Sequence, residues 1–193
     1  MQGLCVRYLQ PTELKVLIDA CLDWLQPIVA LAVSTGMRRS EIVGLRWMDV
    51  DLLHDRIMIP QTKNGEGWIV YLNKLAQSAI ASLPFNENTN PTDKLFRDIT
   101  PERVSVAFRR TCRAVGIVDF RFHDLRHTAA SWLRMSGADI HTVAQLLGHR
   151  DLRMATRYQH LSPSFLTEAV GKLDTVFGLV RYHGVTAPKL LSD

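Results

Sequence analysis

A chain of 193 residues that is 47% hydrophobic and 22% charged can bury one substantial core, which excludes disorder over most of its length. Its net charge of +4 admits a polyanionic partner without demanding one, since many proteins that bind no nucleic acid are as basic. Cys5, Cys21 and Cys112 are widely spaced and form no C-x-x-C pattern, so neither a disulfide framework nor a zinc site is suggested and a cytoplasmic setting is expected; the most apolar stretch, Ile28 to Val33, is far too short to cross a membrane.

In chain order, Pro11 and Thr12 open a helix to about Cys21, with Leu14, Leu17 and Ile18 at helical spacing. A second helix spans about Asp23 to Ser34 and stops near Gly36, and a third, short one starts with Ser40 as N-cap and carries Ile42, Val43 and Leu45. The pattern then changes. Arg56 to Ile59 and Trp68 to Leu72 read as strands joined through Lys63-Asn64-Gly65-Glu66-Gly67, a hairpin signal, and Asp49-Val50-Asp51 supplies a short third strand. Helices follow at Lys74–Leu83, Pro101–Ala114 and His123–Met135, the first two separated by a Pro/Asn-rich loop. An apolar stripe of Ile140, Val143, Leu146 and Leu147 halts at Gly148, a short helix covers about Asp151 to Tyr158, and Ser162-Pro163 opens a last helix to about Leu173. The fold class is α+β: mainly helical with one small antiparallel sheet.

Several residues could carry chemistry, and each has an ordinary reading beside the functional one. Arg38 lies between a helix end and a helix start, where it is either a solvated turn arginine or a ligand for an anion. Lys63 sits near the hairpin tip, either as a common exposed lysine or as a mobile proton donor. His123 and Arg126 project from one face of a helix start; together they either solvate that helix or bind a phosphate through guanidinium and imidazole donors. His149 after Gly148 caps a helix or joins them, and Tyr158 taken alone reads as amphipathic packing. A two-metal carboxylate cluster, a Gly-x-x-x-x-Gly-Lys-Ser/Thr loop and a His-Glu-x-x-His motif are all missing from the sequence. Catalysis on a phosphate would then use protein cations, with no cofactor and no metal expected.

Taken in order, Thr35-Gly36-Met37-Arg38-Arg39-Ser40-Glu41, Leu45-Arg46-Trp47-Met48-Asp49-Val50-Asp51, Thr62-Lys63-Asn64-Gly65, His123-Asp124-Leu125-Arg126-His127-Thr128, Leu146-Leu147-Gly148-His149 and Tyr158-Gln159-His160-Leu161-Ser162-Pro163 resemble the tyrosine recombinase (phage integrase) family. The resemblance runs from about Arg7 to Asp174. It implies the catalytic-domain fold of that family and a site-specific recombinase or integrase that cuts and rejoins double-stranded DNA through a covalent 3′-phosphotyrosyl link, without metal or ATP. It further implies Tyr158 as nucleophile, Arg38 and Arg126 on the scissile phosphate, His123 and His149 as further donors, Lys63 as general acid, and Glu41 orienting the arginine side. Alanine at Arg38 or Arg126 is expected to nearly abolish cleavage and leave folding intact.

By the same resemblance, residues 1–162 form the catalytic domain, and residues 163–193 form a helical tail that either docks on a neighbouring protomer or packs on its own domain. A tetramer is expected on DNA, while the state of the fragment alone in solution, monomer included, is left open. A separate helical DNA-binding domain usually precedes a segment like Arg7-Tyr8-Leu9 in relatives, so the chain is expected to be a catalytic fragment without it. Arg109, Arg110, Arg113, Arg150, Arg153 and Arg157 either track the DNA backbone or solvate exposed faces. A type IB topoisomerase-like relaxer and a catalytically silent DNA-binding module are the competing readings.

Overall fold

The computed structural model describes residues 7–59, 67–148 and 152–161. Seven α-helices and a three-stranded sheet appear among them, in the order α1 (Pro11–Asp19), α2 (Gln26–Thr35), α3 (Arg39–Gly44), β1 (Val50–Asp51), β2 (Arg56–Ile59), β3 (Trp68–Tyr71), α4 (Lys74–Ala81), α5 (Pro101–Ala114), α6 (Asp124–Met135) and α7 (Ile140–Leu146). Two 3-10 turns, Leu152–Met154 and Thr156–Leu161, follow α7.

Helix α2 is the centre of the fold, and its sequence explains why. Pro27, Ile28, Val29, Ala30, Leu31 and Ala32 are all buried, an apolar run with no polar face, which a helix tolerates only when neighbours cover every side. Here α4 and α6 pack against it, with α1 and α3 also in contact. The amphipathic α5 adds Val104, Phe108 and Cys112 to the core and leaves Arg109, Arg110 and Arg113 outside. Its start is satisfied locally: Pro101 needs no donor partner, and the Thr100 hydroxyl accepts from the Arg103 N–H at 3.2 Å.

The sheet is antiparallel in the order β1-β2-β3, with Val50 opposite Ile57 and Ile57 opposite Val70. Period-two alternation turns Ile57, Ile59 and Val70 inward and Met58, Ile69 and Tyr71 outward. The hairpin tip between β2 and β3, with Lys63, lies outside the described residues, as do His149, Arg150 and the 163–193 tail.

Two features aim α6. Residues just before α1 lie along it: the Leu9 N–H donates to the Thr128 hydroxyl at 3.2 Å, and the Trp132 indole N–H donates to the Leu9 carbonyl at 2.9 Å. On another face, Ala130 joins Val143, Leu147 and Tyr158 in a second, smaller apolar cluster. Helix α6 therefore stands between the main core and the segment that carries the tyrosine.

Two local details differ from the sequence expectation. Ser40 does not cap α3; the N-cap is Arg38, whose N–H donates to Glu41 Oε2 at 2.7 Å, because a glutamate three residues into a helix can reach back over its first turn. The segment before Tyr158 forms 3-10 turns rather than an α-helix, with the Tyr158 N–H on the Ala155 carbonyl at 3.0 Å.

Candidate active site

Helix α2 ends at Gly36, which takes the left-handed conformation (φ 66°) that glycine adopts without strain. A Cβ here would clash with Leu147 Cδ2, so the buried leucine would have to shift to admit any larger residue. The chain leaves this turn through Met37, buried, and Arg38, exposed. Arg38 Nη1 donates to Glu41 Oε1 at 2.8 Å, so Glu41 holds both the backbone and the guanidinium of the same residue. Met37, Arg38, Arg39, Ser40, Phe122 and His123 line an open cleft of about 260 Å³. This brings the turn before α3 and the start of α6 to one place.

Arg126 occupies the first turns of α6 and is 4% exposed. Its Nη1 donates to the Gly36 carbonyl and its Nη2 to the Leu147 carbonyl, both at 2.6 Å. Each carbonyl lies at a helix end, where the intrahelical partner is missing, so a charged donor is well placed there. Burial, then the nearby Arg38 cation, lower the Arg126 guanidinium to about 10, against the pull of Glu41 and Tyr158. A guanidinium has five N–H donors, and these two bonds leave capacity for an anion in the same plane. The geometry corrects one sequence expectation. Arg126 ties α2, α6 and α7 together, so its loss cannot leave the fold untouched.

His123 is the N-cap of α6, exposed beside the cleft. Its pKa is lowered, first by burial of the ring and then by Arg126, with Arg38 and Arg157 adding to the effect and Asp124 opposing it. The ring is therefore a neutral donor–acceptor near pH 7 in the absence of an anion.

Tyr158 is 2% exposed. Its ring completes the cluster of Ala130, Val143 and Leu147, while its hydroxyl is hydrogen-bonded to His127 Nδ1. Burial raises the phenol pKa, and the Arg157 and Arg126 cations oppose that rise. The imidazole of His127 stands 5.9 Å from the phenol ring and 5.2 Å, edge to face, from the imidazole of His123. Burial lowers the His127 pKa, as do His123, Arg157 and Arg126, again against Asp124.

Arg38, Glu41, His123, Arg126 and Tyr158 are thus gathered around the start of α6 from three distant stretches of sequence. Lys63 and His149 lie outside the described residues. His127 was given no role from sequence. The available signal was its place one turn after His123, since residues i and i+4 share a helix face.

The sequence matches the phage integrase family over residues 7–164. It is 34% identical over 187 residues to the integrase of Salmonella phage P22, which covers 90% of this chain and 48% of that protein. It is 35% identical over 148 residues to the shufflon-specific DNA recombinase of Escherichia coli, covering 76% of this chain and 36% of that one. Among solved structures, the XerA recombinase superposes with a TM-score of 0.70 at 27% identity, over 91% of this chain and 65% of the other. The catalytic domain of bacteriophage HP1 integrase also gives 0.70, at 25% identity, over 89% of this chain and 97% of that domain. The chain spans about half or less of the length of these curated relatives, and its fold is the one these recombinase and integrase catalytic domains share.

Proposed function

Because the chain belongs to the phage integrase family, we propose that it cuts and rejoins strands of double-stranded DNA at specific sites, with Tyr158 as the nucleophile. One observation carries this reading: the Tyr158 hydroxyl is held against α6, the helix that also carries His123 and the anion-competent Arg126, with Arg38 across the adjoining cleft.

Attack of the phenol oxygen on phosphorus places extra negative charge on the non-bridging oxygens. Arg38 and Arg126 hold that charge with fixed cations, and His123 adds a donor. Glu41 is a positioning residue: by gripping the Arg38 guanidinium it limits the search that this long side chain would otherwise make. Lys63 would protonate the departing 5′ oxygen, and His149 would add a further donor. The phosphotyrosyl link preserves the energy of the phosphodiester bond, and a phenoxide is a workable leaving group when a DNA hydroxyl attacks in return. Rejoining therefore needs no nucleotide hydrolysis. The exposed Arg109, Arg110, Arg113, Arg153 and Arg157 would contact backbone phosphates and give salt-dependent affinity. Exchange between two duplexes calls for several copies of the protein, and we infer a tetramer on DNA.

The test is covalent capture on nicked suicide duplexes. The wild-type chain should leave a DNA adduct on a denaturing gel, with mass spectrometry locating the nucleotide on Tyr158, and Tyr158→Phe should leave none. An adduct on any other residue, or one that persists in Tyr158→Phe, refutes the assignment.

A further inference from the structure

The site described above leaves one question of proton balance open, namely where the phenol proton goes. His123, at the mouth of the cleft, has no hydrogen bond to the phenol among the described residues. His127 does: its Nδ1 is the partner of the Tyr158 hydroxyl, and the two rings stand 5.9 Å apart. Tyr158 as a residue is only 2% exposed, so a proton leaving its hydroxyl goes most directly to the acceptor already in contact with it.

We propose that His127 is the general base of strand cleavage and the general acid of rejoining. This rests on Tyr158 being the nucleophile. In cleavage the Tyr158 O–H bond breaks, and its proton passes to His127 Nδ1. The freed oxygen electron pair forms the O–P bond, while the bond from phosphorus to the 5′ oxygen breaks and that oxygen is protonated from elsewhere in the site. In rejoining, the 5′ hydroxyl gives its proton back to the group that supplied it in cleavage and its oxygen forms the new bond to phosphorus, while the O–P bond to tyrosine breaks and the imidazolium N–H returns its proton to the phenoxide.

The surroundings fit both halves of this cycle. Burial of the ring first, then His123, Arg157 and Arg126, disfavour a resting imidazolium, with Asp124 opposing, so His127 rests neutral and ready to accept. Burial holds the phenol protonated until attack begins. Transfer is consequently coupled to O–P bond formation rather than preceding it. The ring of His123 packs edge to face against the same imidazole at 5.2 Å.

The experiment uses the full 193-residue chain. Nicked suicide duplexes are first selected from a random-sequence pool by covalent capture on wild type, then prepared with either oxygen or sulfur at the scissile 5′ position. Single-turnover adduct formation is followed for wild type, His127→Ala, His127→Asn and Tyr158→Phe, with folding checked by circular dichroism. Removing a general base slows a reaction by about 10²–10⁴-fold, and His127→Ala and His127→Asn should both show such a loss. Asparagine keeps a hydrogen-bonding group beside the phenol but cannot take its proton, so a merely structural histidine would be rescued by it. A 5′ sulfur leaves without protonation, so it restores variants lacking the general acid and should not restore these. In wild type the rate should fall toward acid with the same midpoint as His127 shows in an imidazole NMR titration. Wild-type rates in His127→Asn, restoration of either variant by sulfur, or a kinetic midpoint that departs from the His127 titration each overturn the proposal. No capture by wild type, or an adduct that survives Tyr158→Phe, refutes the recombinase reading itself and is a separate result.

Discussion

Replacing Arg126 by alanine removes two charged donors from two buried carbonyls, those of Gly36 and Leu147, each now bonded at 2.6 Å. A hydrogen bond from a charged group contributes about 1.5–3 kcal/mol, so the pair amounts to about 3–6 kcal/mol. One opposing effect is legible in the structure. The guanidinium is lowered to about 10, first of all by its own burial, so deleting it also relieves a desolvation cost and moves the expected loss toward the lower end, about 3 kcal/mol. Against a total stability of about 5–15 kcal/mol for a domain, that is a large fraction. Urea denaturation followed by circular dichroism measures it directly. Lysine at the same position should recover little, because one compact ammonium cannot reach both carbonyls in the arginine's flat fork. An Arg126→Ala unfolding free energy within about 0.5 kcal/mol of wild type, the range of ordinary surface substitutions, would refute the clamp. The practical corollary is that lost cleavage in Arg126→Ala mixes chemistry with folding.

Arg38 separates the two. It is exposed and, among the described residues, its side chain pairs with Glu41, so Arg38→Ala should change stability by at most about 1 kcal/mol and slow adduct formation by about 10²–10³-fold in the suicide-substrate assay. Gly36→Ala adds left-handed strain of about 1 kcal/mol and an overpacking cost of about 1–3 kcal/mol against the buried Leu147, and its melting temperature should fall accordingly. Stability should also fall with acid. The His127 pKa is lowered in the fold, so its contribution is complete above the unfolded value of about 6.5 and is lost as pH drops through the folded value. Urea midpoints measured from pH 7 to pH 5 should decline in wild type and decline less in His127→Asn.

Much of the fold was readable from local pattern because its signals are local. Pro101 to Ala114 emerged with the expected bounds, helped by a proline at N1 and a strict apolar face. The strands at Arg56–Ile59 and Trp68–Tyr71 followed from alternation, and Gly36 ended α2 as its left-handed conformation requires. The start of α3 misled because serine is the commoner cap; the real cap depends on Glu41 reaching backward, which is visible only as a spacing. Arg126 was read as a phosphate ligand alone because its two carbonyl partners are 90 and 21 residues away in the chain. Nothing in local sequence marks an oxygen that a distant helix end leaves unpaired. The contact between His127 and Tyr158 was hidden for the same reason, since it depends on α7 folding the chain back across α6.

Leu9, with no exposed surface, lies where Thr128 and Trp132 grip its backbone from both sides. Anyone trimming this protein for crystallisation or spectroscopy therefore meets a limit ahead of the first helix: a fragment starting at Gln10 would bare the indole and hydroxyl of α6 and unseat the element on which the chemistry is mounted. Any shortened form therefore has to keep Leu9 with both of its backbone bonds to α6.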